Sequence, residues 1–578
     1  MSTKMTRRYM LRSLGLAIGA TCAGFIRWRL TLHPSHYPGP FRDVTKEARL
    51  HFRYDNDASP QHRFVETTGG GCAFLDFNRD GLLDIFAVQG GPAPGSVPRP
   101  RPPAALYRNR GDGTFEDVTA DVGLAVDMGY GQGVAVGDYL NTGWPALLVT
   151  TYGGVRLFRN DKGHFHEVTR EAGLVQRGEP HWATSACWFD YDKDGWLDLF
   201  VCHYVSWFPD VDRPCADERG ELVYCLPTEY LGDTCVLYHN NRDGTFTDVT
   251  KEAGLAQLVG KALGVVDLDY DNDGWPDLYV TNDMLPNWLL QNQHNGHFKE
   301  VAVQAGVAVG PDGEALSGMG VVAADLTNHG LPDLFVGNFS HQPRSYFRNN
   351  GDGTFSFMPD PVSVGNASQP YLTFGLECLD YDLDGYLDLV LGNGHINDVL
   401  GDRGRVTYRE RQILLHNRGD GHFVEDRDRG GDLQIPRVTR GLAVGDYNND
   451  GRPDILVSGP KMPLTLFRNV GGSSHHWIGF QLEGTHTNRD AIGTRVTIRV
   501  GDRVQTRWVR GASSYCSQSD RRVLFGIGTA TVVEDVEIHW LSGLQERLGP
   551  LAADRYYSIK EGRMSLSNRL SLKDSTSG

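Results

Sequence analysis

The chain has 578 residues, which is too many for one ordinary domain unless the fold is built from repeats. Its 70 glycines and its 10% of aromatic residues favour many tight turns and short strands over a helical protein. The net charge of −16 argues against nucleic acid as a partner, because a protein that binds phosphate needs a basic face.

The N-terminus has the pattern of an export signal. Arg7 and Arg8 precede a short apolar stretch, so residues 1–30 are predicted to be a twin-arginine-like signal. The apolar run is shorter than the roughly 20 residues that span a bilayer. We expect an exported protein that is periplasmic, at the cell surface or secreted, and an N-terminal membrane tether stays open. The alternative is a basic N-terminus before a helix.

A nine-residue acidic segment recurs along the chain, as in "DYDKDGWLD" from Asp190. Five full copies and two weaker ones lie between short apolar runs that are typical of buried strands. Each acidic segment is therefore predicted to be the loop of a strand–loop–strand hairpin. The full copies begin at Asp76, Asp190, Asp269, Asp380 and Asp446, and the weaker ones begin at Asp138 and Asp325.

The spacing of the acidic residues indicates a cation site. Positions 1, 3, 5 and 9 of each full copy carry Asp or Asn, and a glycine at position 6 permits a sharp bend. Calcium takes six to eight oxygen ligands, so we predict about five Ca²⁺ sites. The alternative is a set of acidic surface turns, although five such clusters would repel themselves. The predicted ligands are Asp76, Asn78, Asp80, Asp84, Asp190, Asp192, Asp194, Asp198, Asp269, Asp271, Asp273, Asp277, Asp380, Asp382, Asp384, Asp388, Asp446, Asn448, Asp450 and Asp454.

The two weaker copies lack enough carboxylates to hold an ion. Leu140, Thr142 and Ala146 take three of the ligand positions in the copy at Asp138. Thr327 and His329 weaken the copy at Asp325. We expect both loops to be empty or weak.

A second motif, such as "LYRNRGDGTFEDVT" from Leu106, follows most of the acidic segments. Its Asp-Gly pair is a hairpin-turn signal, so each repeat is predicted to hold four strands, as a propeller blade does. The seventh repeat lacks the last strand, and "FRDVTKEARL" at residues 41–50 matches the missing piece. The fold class predicted for residues 41–470 is therefore an all-β, seven-bladed β-propeller closed by an N-terminal strand.

The acidic loops and the turn motif resemble the FG-GAP/VCBS type of calcium-loop propeller, which is known from integrin α-chains. Residues 475–562 are predicted to form a small all-β domain, with residues 563–578 as a tail. The strings "NRDAIGTRVTIRV", "SSYCSQSD" and "LFGIG" resemble the ASPIC/UnbV domain. The pairing of the two resembles the cartilage acidic protein family, which implies calcium binding, an extracellular setting and no established reaction.

The longest insertion lies between the third and fourth acidic loops and contains Cys215, Cys225 and Cys235, with Cys202 just before it. Export permits disulfides, and a Cys215–Cys225 bridge would staple this loop. Connectivity cannot be deduced from sequence, so other pairings stay open. The strand cysteines are predicted to be buried thiols: Cys72, Cys187 and Cys378.

Two functions fit this pattern. The first is a calcium-stabilised scaffold that binds an unidentified protein or glycan ligand. The second is an enzyme, carbohydrate-active or biosynthetic, with a site on a propeller face or at the junction with the C-terminal domain. His203, His395 and Asp398 could serve acid–base chemistry, although a structural role is favoured. The "RGD" tripeptides at 110–112 and 418–420 are explained by the repeat turns, and the oligomeric state stays open.

Overall fold

The computed structural model describes residues 38–176, 178–358, 370–400, 406–427 and 429–567. The predicted export signal lies outside the described residues. Within these ranges the regular secondary structure elements are almost all strands, and the one α-helix, α1, is short (Ala302–Ala305). None of the described helices is long and apolar enough to cross a membrane. The 3-10 turns are Phe64–Thr67, Pro227–Glu229, Asp398–Leu400 and Gly431–Gln434.

Seven four-stranded antiparallel sheets follow one another along residues 41–469. The first three contain, in order, β2 Cys72–Leu75, β3 Asp84–Ala87, β4 Ala105–Asn109 and β5 Phe115–Asp117; β6 Tyr130–Gly137, β7 Ala146–Tyr152, β8 Gly154–Asp161 and β9 His164–Glu167; β10 Ala183–Phe189, β11 Asp198–His203, β15 Val236–Asn240 and β16 Phe246–Asp248.

The next three sheets repeat the pattern. They contain β18 Ala262–Leu268, β19 Asp277–Asn282, β20 Trp288–Asn292 and β21 Phe298–Glu300; β22 Val321–Ala324, β23 Asp333–Val336, β24 Ser345–Asn349 and β25 Phe355–Phe357; β26 Thr373–Leu379, β27 Asp388–Asn393, β28 Ile413–Asn417 and β29 Phe423–Glu425.

The seventh sheet combines the two ends of the repeat region. It contains β30 Gly441–Gly445, β31 Asp454–Ser458, β32 Thr465–Asn469 and β1 Phe41–Asp43. Strand β1 pairs antiparallel with β32, with Phe41 opposite Asn469. The first strand of every sheet contacts the first strand of the next sheet, and β30 contacts β2.

A row of buried asparagines links each sheet to the one before it. The Asn240 amide of the third sheet donates to Leu197 O in its own acidic loop (2.9 Å) and to Tyr139 O in the loop of the second sheet (2.9 Å). Asn109 of the first sheet reaches Tyr447 O of the seventh in the same way (2.8 Å). The equivalent bonds between sheets run from Asn160 to Phe77, Asn292 to Tyr191, Asn349 to Tyr270, Asn417 to Leu326 and Asn469 to Tyr381.

The C-terminal region forms two further four-stranded sheets. One orders its strands as β36 Val523–Gly528, β33 His476–Glu483, β41 Tyr556–Lys560 and β42 Arg563–Ser567. The other orders them as β35 Arg503–Trp508, β34 Arg495–Val500, β38 Asp535–His539 and β39 Gln545–Leu548. A short ribbon pairs β37 Val532–Val533 with β40 Leu551–Ala552. Strand β42 continues into the stretch that the sequence sets apart as a tail.

The segment between β35 and β36, Gly511–Asp520, lies inside the arrangement of seven sheets. It hydrogen-bonds to the first strand of every sheet: to Cys72, Val134, Ser185, Asp267, Val321, Leu376 and Val444. Tyr515 at its centre is fully buried and packs against Phe374 at 5.1 Å between ring centroids. This segment of the C-terminal domain therefore contacts all seven sheets of the repeat region.

The insertion after β11 contains three short strands, β12 Cys215–Ala216, β13 Leu222–Val223 and β14 Asp233–Thr234. Strand β14 pairs with β17, Val259–Gly260. The expected Cys215–Cys225 disulfide is present, and Cys202 and Cys235 are free and buried. Cys72 and Cys187 are buried as predicted, whereas Cys378 is partly exposed.

Candidate metal centres

The acidic loop of the third sheet, residues 190–198, shows how these loops are built. Asp190 Oδ1 accepts a hydrogen bond from Asp194 N (3.0 Å), and its Oδ2 accepts one from Gly195 N (3.0 Å). Asp194 Oδ1 in turn accepts from Trp196 N (2.8 Å). The first carboxylate therefore closes the loop on itself, as the side chain of an Asx turn does.

Two backbone positions in each loop adopt left-handed conformations. Gly195 has φ of 87°, as the sequence predicts for position 6, but Lys193 at position 4 also has a positive φ, of 58°. The same is true of position 4 in all seven loops: Arg79, Asn141, Lys193, Asn272, Asn328, Leu383 and Asn449. This strain at a non-glycine residue is compensated by the hydrogen bonds of the loop.

The aspartate at position 9 connects the loop to the third strand of its sheet. Asp198 Oδ2 accepts from Tyr191 N (3.2 Å), and Oδ1 accepts from Asn240 N (2.8 Å). Asn240 is the residue that links this sheet to its predecessor. Position 9 therefore couples the acidic loop to the contact between sheets.

The loops bury several carboxylates close together. Asp84, Asp198 and Asp388 each have a relative exposure of 0%. Burial, together with neighbouring aspartates, raises the pKa of Asp84 to about 8 and the pKa of Asp198 to about 7. The pKa values of Asp190, Asp277, Asp380 and Asp454 are also raised well above the ordinary value, with burial as the first cause. Such a site favours either a proton or a metal cation.

The oxygen atoms at position 3 show whether these loops suit a cation. Asp271 Oδ1, Asp382 Oδ1 and Asn448 Oδ1 are buried and have no hydrogen-bond partner. Buried polar atoms normally have hydrogen-bond partners, so three such oxygens at the same loop position favour these atoms as cation ligands. An oxygen-rich donor set of this kind suits a hard cation such as Ca²⁺.

All twenty predicted ligand residues lie in the five loops, and in at least two of these loops the side chains at positions 1, 3 and 5 converge. The ligand atoms of Asp190, Asp192 and Asp194 lie within 4.8 Å of one another, and so do those of Asp269, Asp271 and Asp273. Asp80 and Asp273 are exposed, whereas Asp84 and Asp277, at position 9 of the same loops, are buried. In these two loops the carboxylate at position 5 therefore faces solvent, and the carboxylate at position 9 faces the protein interior.

Two histidines beside the loops were missed by the sequence reasoning. His239 Nδ1 lies 3.2 Å from Asp198 Oδ1, and His416 Nδ1 lies 3.1 Å from Asp388 Oδ1. Their carboxylate partners raise the pKa of both histidines, to about 9 for His416. The signal is the residue just before the linking asparagine, which is His in "LYHN" and "LLHN" but Arg or Gln in the other copies.

The two weaker loops keep the backbone of the others. Asp138 accepts from Thr142 N (3.0 Å) and from Gly143 N, and burial, followed by Asp490, raises its pKa to about 6. In the loop at Asp325, the His329 ring stands between two carboxylates. Its Nδ1 lies 3.1 Å from Asp325 Oδ1, and its Nε2 lies 3.7 Å from Asp333 Oδ1. The imidazole thus takes the place that a cation would need.

The C-terminal domain lies against the acidic loops of several sheets. Tyr556 OH donates to Asp446 Oδ2 (2.8 Å), and Arg522 donates to Asp446 O (2.7 Å). Arg489 N donates to Asn141 Oδ1 (2.9 Å), and His475 Nδ1 lies 2.8 Å from Asp382 O. This end of the repeat region is therefore an interface within the chain.

The other residues singled out in the sequence are not brought together. His203 contacts Asp233 and Thr234, whereas His395 packs against Phe339. Asp398 pairs with His62 at 3.0 Å. Residues 110–112 and 418–420 lie in the turns β4–β5 and β28–β29.

The repeats and the acidic loops define a class of protein. The model of the FG-GAP-like repeat matches residues 76–148, 138–201, 269–336, 325–391 and 398–457, which together make up more than half of the chain. The model called ASPIC and UnbV matches residues 484–565. The chain belongs to the FG-GAP-like repeat family, and it carries an ASPIC and UnbV domain after the repeats.

Within that class the chain is homologous to cartilage acidic protein 1. It is 27% identical to the mouse protein over 301 residues, which cover 51% of this chain and 44% of the relative. It is 25% identical to the Xenopus tropicalis protein over 476 residues, which cover 71% of this chain and 70% of the relative. The chain thus spans less than half of the mouse relative.

A solved structure with partial likeness is the BP39L lectin from Burkholderia pseudomallei. The TM-score is 0.41 at 9% identity, over 70% of this chain and 97% of the lectin.

Proposed function

We propose that this chain is an exported, calcium-binding scaffold whose seven sheets are the blades of a closed propeller. The cyclic contacts of the first strands, the pairing of β1 with β32 and the row of linking asparagines support closure. The proposed ligand is a protein or a glycan.

The observation that carries the calcium proposal is the burial of the position-9 aspartate in each of the five loops, together with burial of the position-1 aspartate in three of them. Burial is the largest influence on the pKa values of Asp84 and Asp277, and the remaining main influences are only aspartates and backbone N–H groups. Calcium, when bound, would neutralise this charge and draw the loop together. The Asp and Asn side chains at positions 1, 3, 5 and 9 would hold it.

Calcium titration by isothermal calorimetry tests this proposal. We expect about five ions per chain at saturation. Asp271→Asn should remove or weaken one site, because it takes a charge from a position whose Oδ1 has no protein partner. Asp352→Asn is the matched control, since Asp352 is an exposed turn aspartate that bonds only Thr354. No calcium binding, or equal losses in both variants, would contradict the proposal.

The end of the repeats opposite the acidic loops supplies a surface for the ligand. A cavity of about 210 Å³ lies there, lined by Phe64, Tyr204, Leu226, Met284, Phe339, Phe374 and Ile396, among others. Mostly apolar cavities with a few polar groups are typical of ligand sites. One of the polar groups here is Asp283, which accepts a hydrogen bond from Tyr204 OH (2.6 Å).

Screening the calcium-loaded protein against immobilised glycans and exported proteins tests the scaffold proposal. Leu226→Trp should fill the cavity and weaken binding, whereas Leu231→Trp should not, because Leu231 is 80% exposed and does not line the cavity. Equal effects of the two variants would remove the cavity from the proposal. A catalytic turnover that Leu226→Trp abolishes, with calcium binding intact, would replace the scaffold by the enzyme.

Export is proposed from the arginine pair alone. Residues 1–30 fused to a reporter should deliver it across the membrane, and Arg7→Lys with Arg8→Lys should retain it inside. A reporter that stays inside with the native segment would refute this part.

A further inference from the structure

A second kind of side-chain cluster lies in the third sheet, at the end opposite its acidic loop. His181 directly precedes Trp182 and β10, His203 is the last residue of β11, and Asp233 lies in β14 of the insertion. The insertion therefore leaves the sheet after His203 and returns an aspartate to it some thirty residues later. The ligand atoms of the three residues lie within 4.8 Å of one another.

The distances show convergence on one oxygen. Asp233 Oδ2 lies 2.8 Å from His181 Nδ1 and 3.9 Å from His203 Nδ1. The other oxygen, Oδ1, accepts from Thr234 N (2.7 Å), which orients the carboxylate. The carbonyl oxygen of Thr234 is a fourth group, 2.7 Å from His203 Nδ1.

The hydrogen bonds of His203 leave a neighbour unsatisfied. Its Nδ1–H donates to Thr234 O, so its Nε2 accepts from the Gln176 amide (3.1 Å). In this arrangement Gln176 Oε1 is buried without a partner. If the Gln176 amide is rotated by 180°, its Oε1 accepts a hydrogen bond from His203 Nε2–H. The His203 ring is then the tautomer protonated on Nε2, and its lone pair lies on Nδ1. That lone pair then faces Thr234 O and Asp233, and a cation would satisfy all three of these acceptors.

The burial of the cluster suits a metal ligand. His203 has a relative exposure of 0%. The side chains of Asp233 and His181 are 15% and 30% exposed, so an ion can enter from one side.

We infer that His181, His203 and Asp233, with Thr234 O as a fourth donor, form a binding site for a divalent transition-metal ion. Two imidazole nitrogens and a carboxylate suit Zn²⁺, which prefers nitrogen donors and four-fold coordination. The oxygen-rich acidic loops suit calcium instead. The chain would thus hold two classes of metal at opposite ends of the same sheet.

Zinc titration of the full chain in saturating Ca²⁺ tests this inference. We expect one Zn²⁺ per chain in calorimetry, with affinity at least about tenfold lower in His181→Gln and in Asp233→Asn. His422→Gln is the matched control, because His422 is an exposed histidine 3.4 Å from a single carboxylate, Asp420. It should bind zinc as the native chain does.

Cobalt provides a second measurement that reports on the ligands. Co²⁺ in the native chain should give the visible absorption of four-fold coordination, and His181→Gln should abolish it. Melting curves in calcium establish that each variant is folded, and His203 is left unchanged because it is fully buried. No zinc binding by the native chain, or equal binding by native chain and folded His181→Gln, would overturn the inference.

Discussion

The loops at Asp190 and Asp325 have the same backbone but different groups at their centre. Both close on the first aspartate, through Gly195 N in one loop and Gly330 N in the other. Both have a left-handed residue at position 4. The first fills its centre with carboxylates, whereas the second fills it with His329. The hairpin fold therefore depends on the aspartate at position 1 and on the left-handed residues at positions 4 and 6, and positions 3 and 5 decide what the loop can hold.

The largest predicted effect is the removal of calcium, which acts on the Asp190 type of loop only. A chelator at pH 7.5 should lower the melting temperature by more than about 10 °C, because each site at 100-fold saturation contributes about 2.7 kcal/mol. Scanning calorimetry measures this, and excess calcium should restore the transition. An unchanged melting temperature would contradict metal in these loops.

The loss of stability on removal of calcium by a chelator should be smaller at acidic pH. Without metal, the pKa values of Asp84, Asp198 and Asp269 are raised to about 8, 7 and 6. Raised carboxyl pKa values mean that the folded chain binds more protons than the unfolded chain, so their stabilising contribution is present below about pH 4 and is lost as pH rises towards 8. Chelated protein should therefore be more stable at pH 5.5 than at pH 8. The opposite slope would show that burial does not raise the pKa values of these carboxylates in the folded chain.

The linking asparagines are common to both loop types and should matter in every sheet. Asn109→Ala leaves the carbonyls of Leu83 and Tyr447 without this donor, which should cost about 2 kcal/mol. Denaturant unfolding in calcium measures the loss. Asn292→Ala, which removes the equivalent bond between the fourth and third sheets, is the reference. A negligible effect of Asn109→Ala beside a clear effect of Asn292→Ala would show that the first and seventh sheets are not joined.

Converting one loop type into the other sharpens the comparison. Thr327→Asp together with His329→Asp completes the ligand positions in a loop whose backbone is already correct. Calorimetry should then count one more calcium ion per chain. Asp192→Asn in the third sheet is the reciprocal change and should weaken one site. An unchanged count after the double substitution would show that backbone and charge are not sufficient.

The smallest effect is expected from His329→Gln. The imidazolium beside Asp325 and Asp333 has a raised pKa, chiefly because of its hydrogen bond to Asp325. Its stabilising contribution is present below the ordinary histidine pKa of about 6.5 and is lost as pH rises through the higher folded value. The variant should thus lose about 1 kcal/mol at pH 6 and less at pH 9 by denaturant unfolding. A loss that does not change with pH would assign His329 a packing role only.

Local patterns made much of the molecule predictable. The acidic loops repeat one spacing, so Asp190, Asp192, Asp194 and Asp198 could be placed in one hairpin from the sequence. The missing last strand of the seventh repeat pointed to residues 41–50, and β1 does pair with β32. The sequence could not indicate that His239 approaches Asp198, because that contact depends on the register between β11 and β15. The sequence also predicts a separate C-terminal domain, whereas the segment Gly511–Asp520 of that domain hydrogen-bonds to all seven sheets.

Glycine, aspartate and apolar residues at regular spacing thus determined the strands, the turns and the candidate ligands, since each depends on residues close together in the chain. Only the tertiary structure decided that Gly511–Asp520 hydrogen-bonds to all seven sheets. It also decided that Asp233 returns to His181 and His203. Contacts between distant segments are selected by packing and by the need to satisfy buried hydrogen-bonding groups, and neither leaves a periodic trace in the sequence.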